Sequence, residues 1–143
     1  MLKGILKSVG GKRPETFDFL GFTNYCGRSR KGQSKLKWKT ARKKFRTKIT
    51  AFTDWIKANR NLPLKDIWEI VNSKLRGHFN YYGVSDNWRG LLRYKGEVER
   101  VLCKWLRRRS QRSKLSWSRF NQLKKIYPLA RPKSLINLNS AFV

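Results

Sequence analysis

The sequence predicts a mainly α fold, a small bundle of about four helices preceded by a short β-hairpin. Three observations predict it. Apolar residues recur at spacings of three and four from Thr40 onward, and a segment before it alternates with a period of two. Six Trp, eight Phe and five Tyr supply far more buriable surface than a disordered polybasic chain carries. A length of 143 residues suits one domain with a real core and is short for two.

Each element follows from local pattern. Residues 1–14 are Gly- and Lys-rich with weak periodicity and are expected to form a leader. Phe17, Phe19 and Phe22 alternate with smaller residues as one strand over 16–23, and the Gly-containing loop Cys26 to Ser34 turns the chain toward Leu36 and Trp38. A first helix follows from Phe45, Ile49, Phe52 and Ile56, with Thr40 as its expected N-cap. Pro63 can open a second helix, whose buried face is Ile67, Val71, Leu75 and Tyr82. Asp86 is the expected cap of a third, where Leu91, Tyr94, Val98, Val101 and Trp105 repeat at three and four. Ser116 caps a fourth containing Trp117, Phe120, Leu123 and Ile126, which Pro128 closes. The expected organisation is leader and hairpin over 1–38, helical domain over 39–128 and extended tail over 129–143.

Charge points to a partner. Thirty-five Lys and Arg against eight Asp and Glu leave a net charge of +27, which a folded monomer must hold against its own repulsion unless a polyanion neutralises it. No acidic residue occurs between Phe19 and Thr53 or after Glu99, so the basic residues there cannot be paired locally. Nucleic acid is the expected partner, with no membrane and no small-molecule substrate. No apolar run spans a bilayer and no signal-peptide core is seen, so a cytoplasmic location is expected. Cys26 and Cys103 have no second Cys or His at metal spacing and are read as reduced thiols.

The same composition argues against catalysis. Metal-dependent phosphoryl or nucleotidyl transfer needs clustered carboxylates, and this chain has eight in all; of its near neighbours, Asp66 with Glu69 reads as helix N-terminal charge and Glu97 with Glu99 as an exposed face. His78, the sole histidine, falls beside Val71, Leu75 and Tyr82 and is expected to be a hydrogen-bonded core residue rather than a general base. The segment 27–32 lacks the Gly-Lys-Ser/Thr ending of a phosphate-cradling P-loop. The expectation is no catalytic residue, no metal and no cofactor.

Binding chemistry is better placed. At about 100° per residue, Arg89, Arg93, Arg100, Lys104 and Arg107 fall together, well away from the apolar stripe of the same helix. With Arg108, Arg109 and Arg112 after it, Lys39, Lys43 and Arg46 near the first helix, and Arg28, Arg30 and Lys31 in the hairpin loop, they form the candidate RNA-binding set. Trp38, Tyr81 and Trp117 stand close to these clusters, and phosphate contacts combined with aromatic stacking favour irregular RNA over a DNA groove.

Several blocks in order are similar to one family. Pro14-Glu15-Thr16-Phe17-Asp18-Phe19-Leu20-Gly21-Phe22-Thr23, continued by residues 26–32, resembles the last block of the polymerase palm in bacterial group II intron reverse transcriptases, also called intron maturases. Leu75-Arg76-Gly77-His78-Phe79-Asn80-Tyr81-Tyr82-Gly83-Val84 resembles the signature of their thumb, or X, domain. Trp105-Leu106-Arg107-Arg108-Arg109-Ser110-Gln111 resembles a later thumb helix, and Arg131-Pro132 its closing segment. The likeness covers roughly residues 13 to 135.

This resemblance implies a C-terminal fragment, the end of the palm plus a helical thumb, that binds structured intron RNA and assists its folding, splicing and mobility. A DNA target of the mobile intron is a further implied partner. The fingers, most of the palm and the Tyr-x-Asp-Asp box have no counterpart here, so polymerase activity is not expected of this chain alone. Two alternatives are a thumb subunit completing a split RNA-directed DNA polymerase, whose palm and fingers are a separate polypeptide, and a small basic ribonucleoprotein component.

Overall fold

A computed structural model describes residues 17–28, 31–109, 115–133 and 135, and all that follows concerns these. The architecture is mainly α. Three antiparallel strands, β1 (Phe17–Phe19), β2 (Phe22–Arg28) and β3 (Ser34–Thr40), precede four helices: α1 (Arg42–Asn59), α2 (Leu64–Tyr82), α3 (Trp88–Leu106) and α4 (Trp117–Ile126). The expected leader lies outside the described residues, as does most of the expected tail beyond Lys133.

The sheet corrects the expected single strand over 16–23. The chain reverses at Leu20-Gly21, where φ is 53° and 86°, so that Phe19 pairs with Phe22 and Phe17 with Asn24. Positive φ at both central residues is what a type I′ hairpin turn requires, and Gly21 supplies one of them without strain. Gly21 also packs under the Tyr82 hydroxyl, which an added Cβ would meet at 2.6 Å. The second hairpin is tighter than expected: Cys26 to Arg28 belong to β2 and pair with Ser34 to Leu36.

Two of the expected caps belong elsewhere. Thr40 ends β3, and α1 begins after Ala41 with no side-chain cap. Asp86 lies in a 3-10 turn, Ser85–Asn87, and pairs with Lys35 at 3.2 Å instead of capping α3. The reason is Asn87, fully buried between sheet and helices. Its Oδ1 accepts from the Thr40 N–H at 2.9 Å, and its Nδ2 donates to Thr40 Oγ1 at 2.7 Å and to the Tyr82 carbonyl at 3.1 Å. One amide thus fastens β3 to the α2–α3 junction. Ser116 caps α4 as expected, accepting from the Arg119 N–H at 3.1 Å.

The apolar stripes meet in one core. Ile56, Ile67, Val71, Leu75, Leu91, Val98, Leu102, Leu106 and Phe120 are fully buried, and Phe22 joins them from the sheet against Tyr82. At about 25 cal/mol per Å² this burial is the main driving force. Helix α4 is held to the rest by Trp68, which packs on Phe120 and donates from Nε1 to the Tyr127 carbonyl at 2.7 Å. Beyond it, the Ala130 N–H donates to Asn72 Oδ1 at 2.8 Å.

Glu99 corrects a second reading. It is buried rather than on an exposed face, and it accepts from Lys95 at 2.7 Å and from Lys124 of α4 at 2.8 Å. Burial alone would push its carboxyl up, but the hydrogen bonds and charges of Lys124 and Lys95 outweigh that and hold it below the usual carboxylate range. His78 is in the core, as expected, but neither ring nitrogen has a hydrogen-bond partner. Its ring lies parallel to Tyr94, with centroids 3.6 Å apart. Burial, with a smaller contribution from the Lys48 charge, lowers its pKa to about 4.

Candidate nucleic-acid interface

Helices α1 and α3 run parallel, side by side. Arg93 lies over the Phe45 ring at 5.0 Å, Lys57 over Trp105 at 5.7 Å, and Arg60 Nε donates to the Arg108 carbonyl at 3.2 Å; every one of these pairs is 48 positions apart. A constant offset is what two parallel helices in register produce. Each helix packs one face and leaves a basic flank beside the other.

On α3, Arg89, Arg93, Arg100 and Lys104 are all exposed, and Arg107 continues the row just past the helix end. Five side chains at these positions span about 25 Å, the length over which one strand of a duplex presents roughly seven phosphates. The row is not uniformly free: Arg100 pairs with Glu97 at 2.9 Å, and Arg107 Nε donates to the Leu115 carbonyl at 2.6 Å, tying the end of α3 to the segment before α4. Arg93, held by the Phe45 ring, and Lys104 have no acidic partner.

The other expected residues divide. Lys43 and Arg46 are exposed on α1. Lys39 is exposed on β3, with Nζ 4.9 Å from the centre of the Tyr25 ring. Tyr25 in turn feels the charge of Arg89; burial first and Asp86 next raise its pKa, while Arg89 and Lys35 oppose them. The sheet and the start of α3 therefore lie close enough for their charges to act on the same ring. Arg108 lies over Trp105 at 5.0 Å, and Arg109, half-buried, donates from Nη2 to the Leu62 carbonyl at 3.1 Å. Arg28 and Lys31 are exposed at the β2–β3 turn. Arg30 and Arg112 lie outside the described residues.

Sequence reasoning placed Trp105 in the apolar stripe and left Lys57 and Arg60 out of the candidate RNA-binding set. The indole is half-buried, and Lys57, Arg60, Lys104 and Arg108 all sit 5.0–5.7 Å from its centre. A signal was available. Arg42, Arg46, Lys57 and Arg60 follow the same intervals on α1 as Arg89, Arg93, Lys104 and Arg107 do on α3, so each helix has its own basic row. Among the aromatics expected near the charge, Trp38 packs edge-on against Phe22, whereas Tyr81 and Trp117 are exposed; Trp117 has Lys124 over its ring at 5.5 Å.

Chemically, such a surface offers fixed cations and aromatic planes. No group of three or more His, Cys, Asp or Glu among the described residues could hold a metal ion, and none of the described helices is long and apolar enough to cross a membrane. Both cysteines are free thiols, Cys26 exposed and Cys103 buried.

These features define a class, a small polybasic helical module with a sheet packed at one end. The family described as group II intron, maturase-specific domain, matches residues 35–125, more than half of the 143, and the chain belongs to that family. Searches of curated proteins and of solved structures gave no match.

Proposed function

We propose that this chain binds structured group II intron RNA along the basic flanks of α1 and α3 and thereby assists intron folding, splicing and mobility. The observation that carries the reading is the outward placement of Arg89, Arg93 and Lys104 beside the basic row of α1, in a chain of the maturase-specific family. Phosphates lying across these side chains release counterions, the main source of affinity for any nucleic acid. Exposed Tyr81 and Trp117 add surfaces for unstacked bases, which favours folded RNA with loops over a regular duplex. The role is noncatalytic, cytoplasmic and independent of a small-molecule substrate or cofactor; a DNA target of the mobile intron is a further polyanion for the same face. The test is competition binding of the purified chain to a group II intron RNA and to an unrelated structured RNA of equal length. Preference for the intron RNA is expected, and equal or absent binding to both refutes the reading.

A second reading has one observation in its favour. Among the described residues strand β1 is an open sheet edge, and Phe19 at its end and Leu20 after it are 46% and 66% exposed, as an edge that pairs with another polypeptide would be. A separate palm and fingers polypeptide would meet the chain there, and the three-stranded sheet would be the end of its palm. Primer extension by such a partner, with and without this chain, decides: no gain in synthesis removes the idea.

A further inference from the structure

The Trp105 cluster lies where α1 ends and α3 ends, and its arrangement is not explained by packing. An aromatic ring attracts a cation placed over its face within about 6 Å of the centre. Here four surround a single indole, from α1, the turn after it, α3 and the residues just beyond α3. Arg60 is fixed in place by donating to the Lys57 carbonyl at 2.8 Å and the Arg108 carbonyl at 3.2 Å. The side chains of Lys57, Lys104 and Arg108 have no hydrogen bond or ion pair among the described residues, and all three are exposed. The closest carboxylate in sequence, Asp54, is exposed and belongs to none of the ion pairs. Beneath them the Trp105 Nε1–H is buried with no acceptor, the kind of unmet donor that folded proteins rarely leave.

We propose that the Lys57–Arg60–Lys104–Arg108 cluster around Trp105 is a phosphate clamp, which grips closely spaced backbone phosphates of the RNA at the end of the α1–α3 pair. The inference rests on the RNA-binding reading above and deepens it by naming where the backbone is held most tightly. The Arg108 guanidinium can meet phosphate oxygens in fork geometry, Arg60 keeps Nη2 free of its two carbonyl bonds, and two amines on flexible stems adapt to a second phosphate. The half-buried indole gives the clamp a rigid floor, on which the guanidinium of Arg108 is already stacked at 5.0 Å. An anion seated there supplies the counter-charge that the four cations lack.

The test compares the full chain with two variants that each lose two positive charges. One removes the clamp amines, Lys57→Gln with Lys104→Gln; the other removes two exposed amines elsewhere, Lys65→Gln with Lys125→Gln. Filter binding to the same group II intron RNA should show about a tenfold loss and a salt slope shallower by about two for the first, and less than about a twofold loss for the second. Equal losses in both variants overturn the clamp while leaving general RNA binding intact. No binding by the unmodified chain overturns both. Amine labelling of the unmodified chain, read by mass spectrometry, gives an independent outcome free of folding effects: RNA should shield Lys57 and Lys104 and leave Lys65 and Lys125 reactive, and labelling of Lys57 and Lys104 undiminished by RNA overturns the proposal.

Discussion

Acidification from pH 7 to pH 5 should destabilise the fold by about 2 kcal/mol through one side chain, His78. It is 4% exposed, lies parallel to Tyr94 and has no acceptor or donor at either nitrogen. Burial, then the Lys48 charge, brings its pKa from 6.5 to about 4. Because the native value lies below the unfolded one, the unfolded chain takes up the proton first. The stabilisation of the neutral ring is therefore complete above the unfolded value of 6.5 and is lost as pH falls toward 4. Each pH unit between the two values is worth about 1.4 kcal/mol, so the whole loss is about 3.5 kcal/mol, of which somewhat more than half has occurred by pH 5. The chain has no other histidine, and a comparison with His78→Phe subtracts whatever other groups contribute. Urea denaturation at pH 7, 6 and 5 measures it, with His78→Phe as the non-titrating control that keeps a ring against Tyr94. A falling midpoint in the parent and a flat one in the variant is expected; parallel behaviour of the two would refute the reasoning.

Other perturbations follow from the same geometry. Asn87→Ala removes the side chain that joins Thr40 to the Tyr82 carbonyl and should cost about 2–4 kcal/mol, seen as a lower urea midpoint at unchanged m-value. Glu99→Gln leaves the partly buried Lys95 and Lys124 without a counter-charge and should cost about 2–4 kcal/mol, with hydrogen exchange in α4 accelerating before that in α2. Arg89→Gln with Arg93→Gln should leave thermal unfolding within a few degrees of the parent while weakening RNA binding about tenfold, measured by fluorescence anisotropy with a labelled intron RNA.

Much of the fold is legible because the helices are strongly periodic. The stripe from Leu91 through Val98 to Trp105 assigns α3 without any knowledge of its neighbours, and the burial of Leu91, Tyr94, Val98 and Val101 follows from it. What sequence could not give was decided by contacts distant along the chain. Thr40 and Asp86 both have the chemistry of an N-cap, but Asn87 and Lys35 claim them across 47 and 51 positions. Leu20-Gly21 does not look like a hairpin turn, since leucine rarely adopts positive φ, and only the packing of Phe22 and Gly21 against Tyr82 makes the reversal worthwhile. The outward basic row of α3 was legible from its spacing. The crowding at Trp105 was not, because it depends on α1 and α3 lying parallel in register, and Arg107 and Arg109 proved to hold loops as well as charge.

The most direct test of the central claim, that phosphates of RNA lie across the exposed cations of α1 and α3, is the dissociation constant of the full chain for a group II intron RNA as a function of salt. If the track engages about six to ten phosphates, affinity should fall by roughly a thousandfold or more between about 50 and 200 mM salt, along a straight line in the logarithms. A dissociation constant that stays constant over that range, or no measurable binding at its low end, contradicts the account.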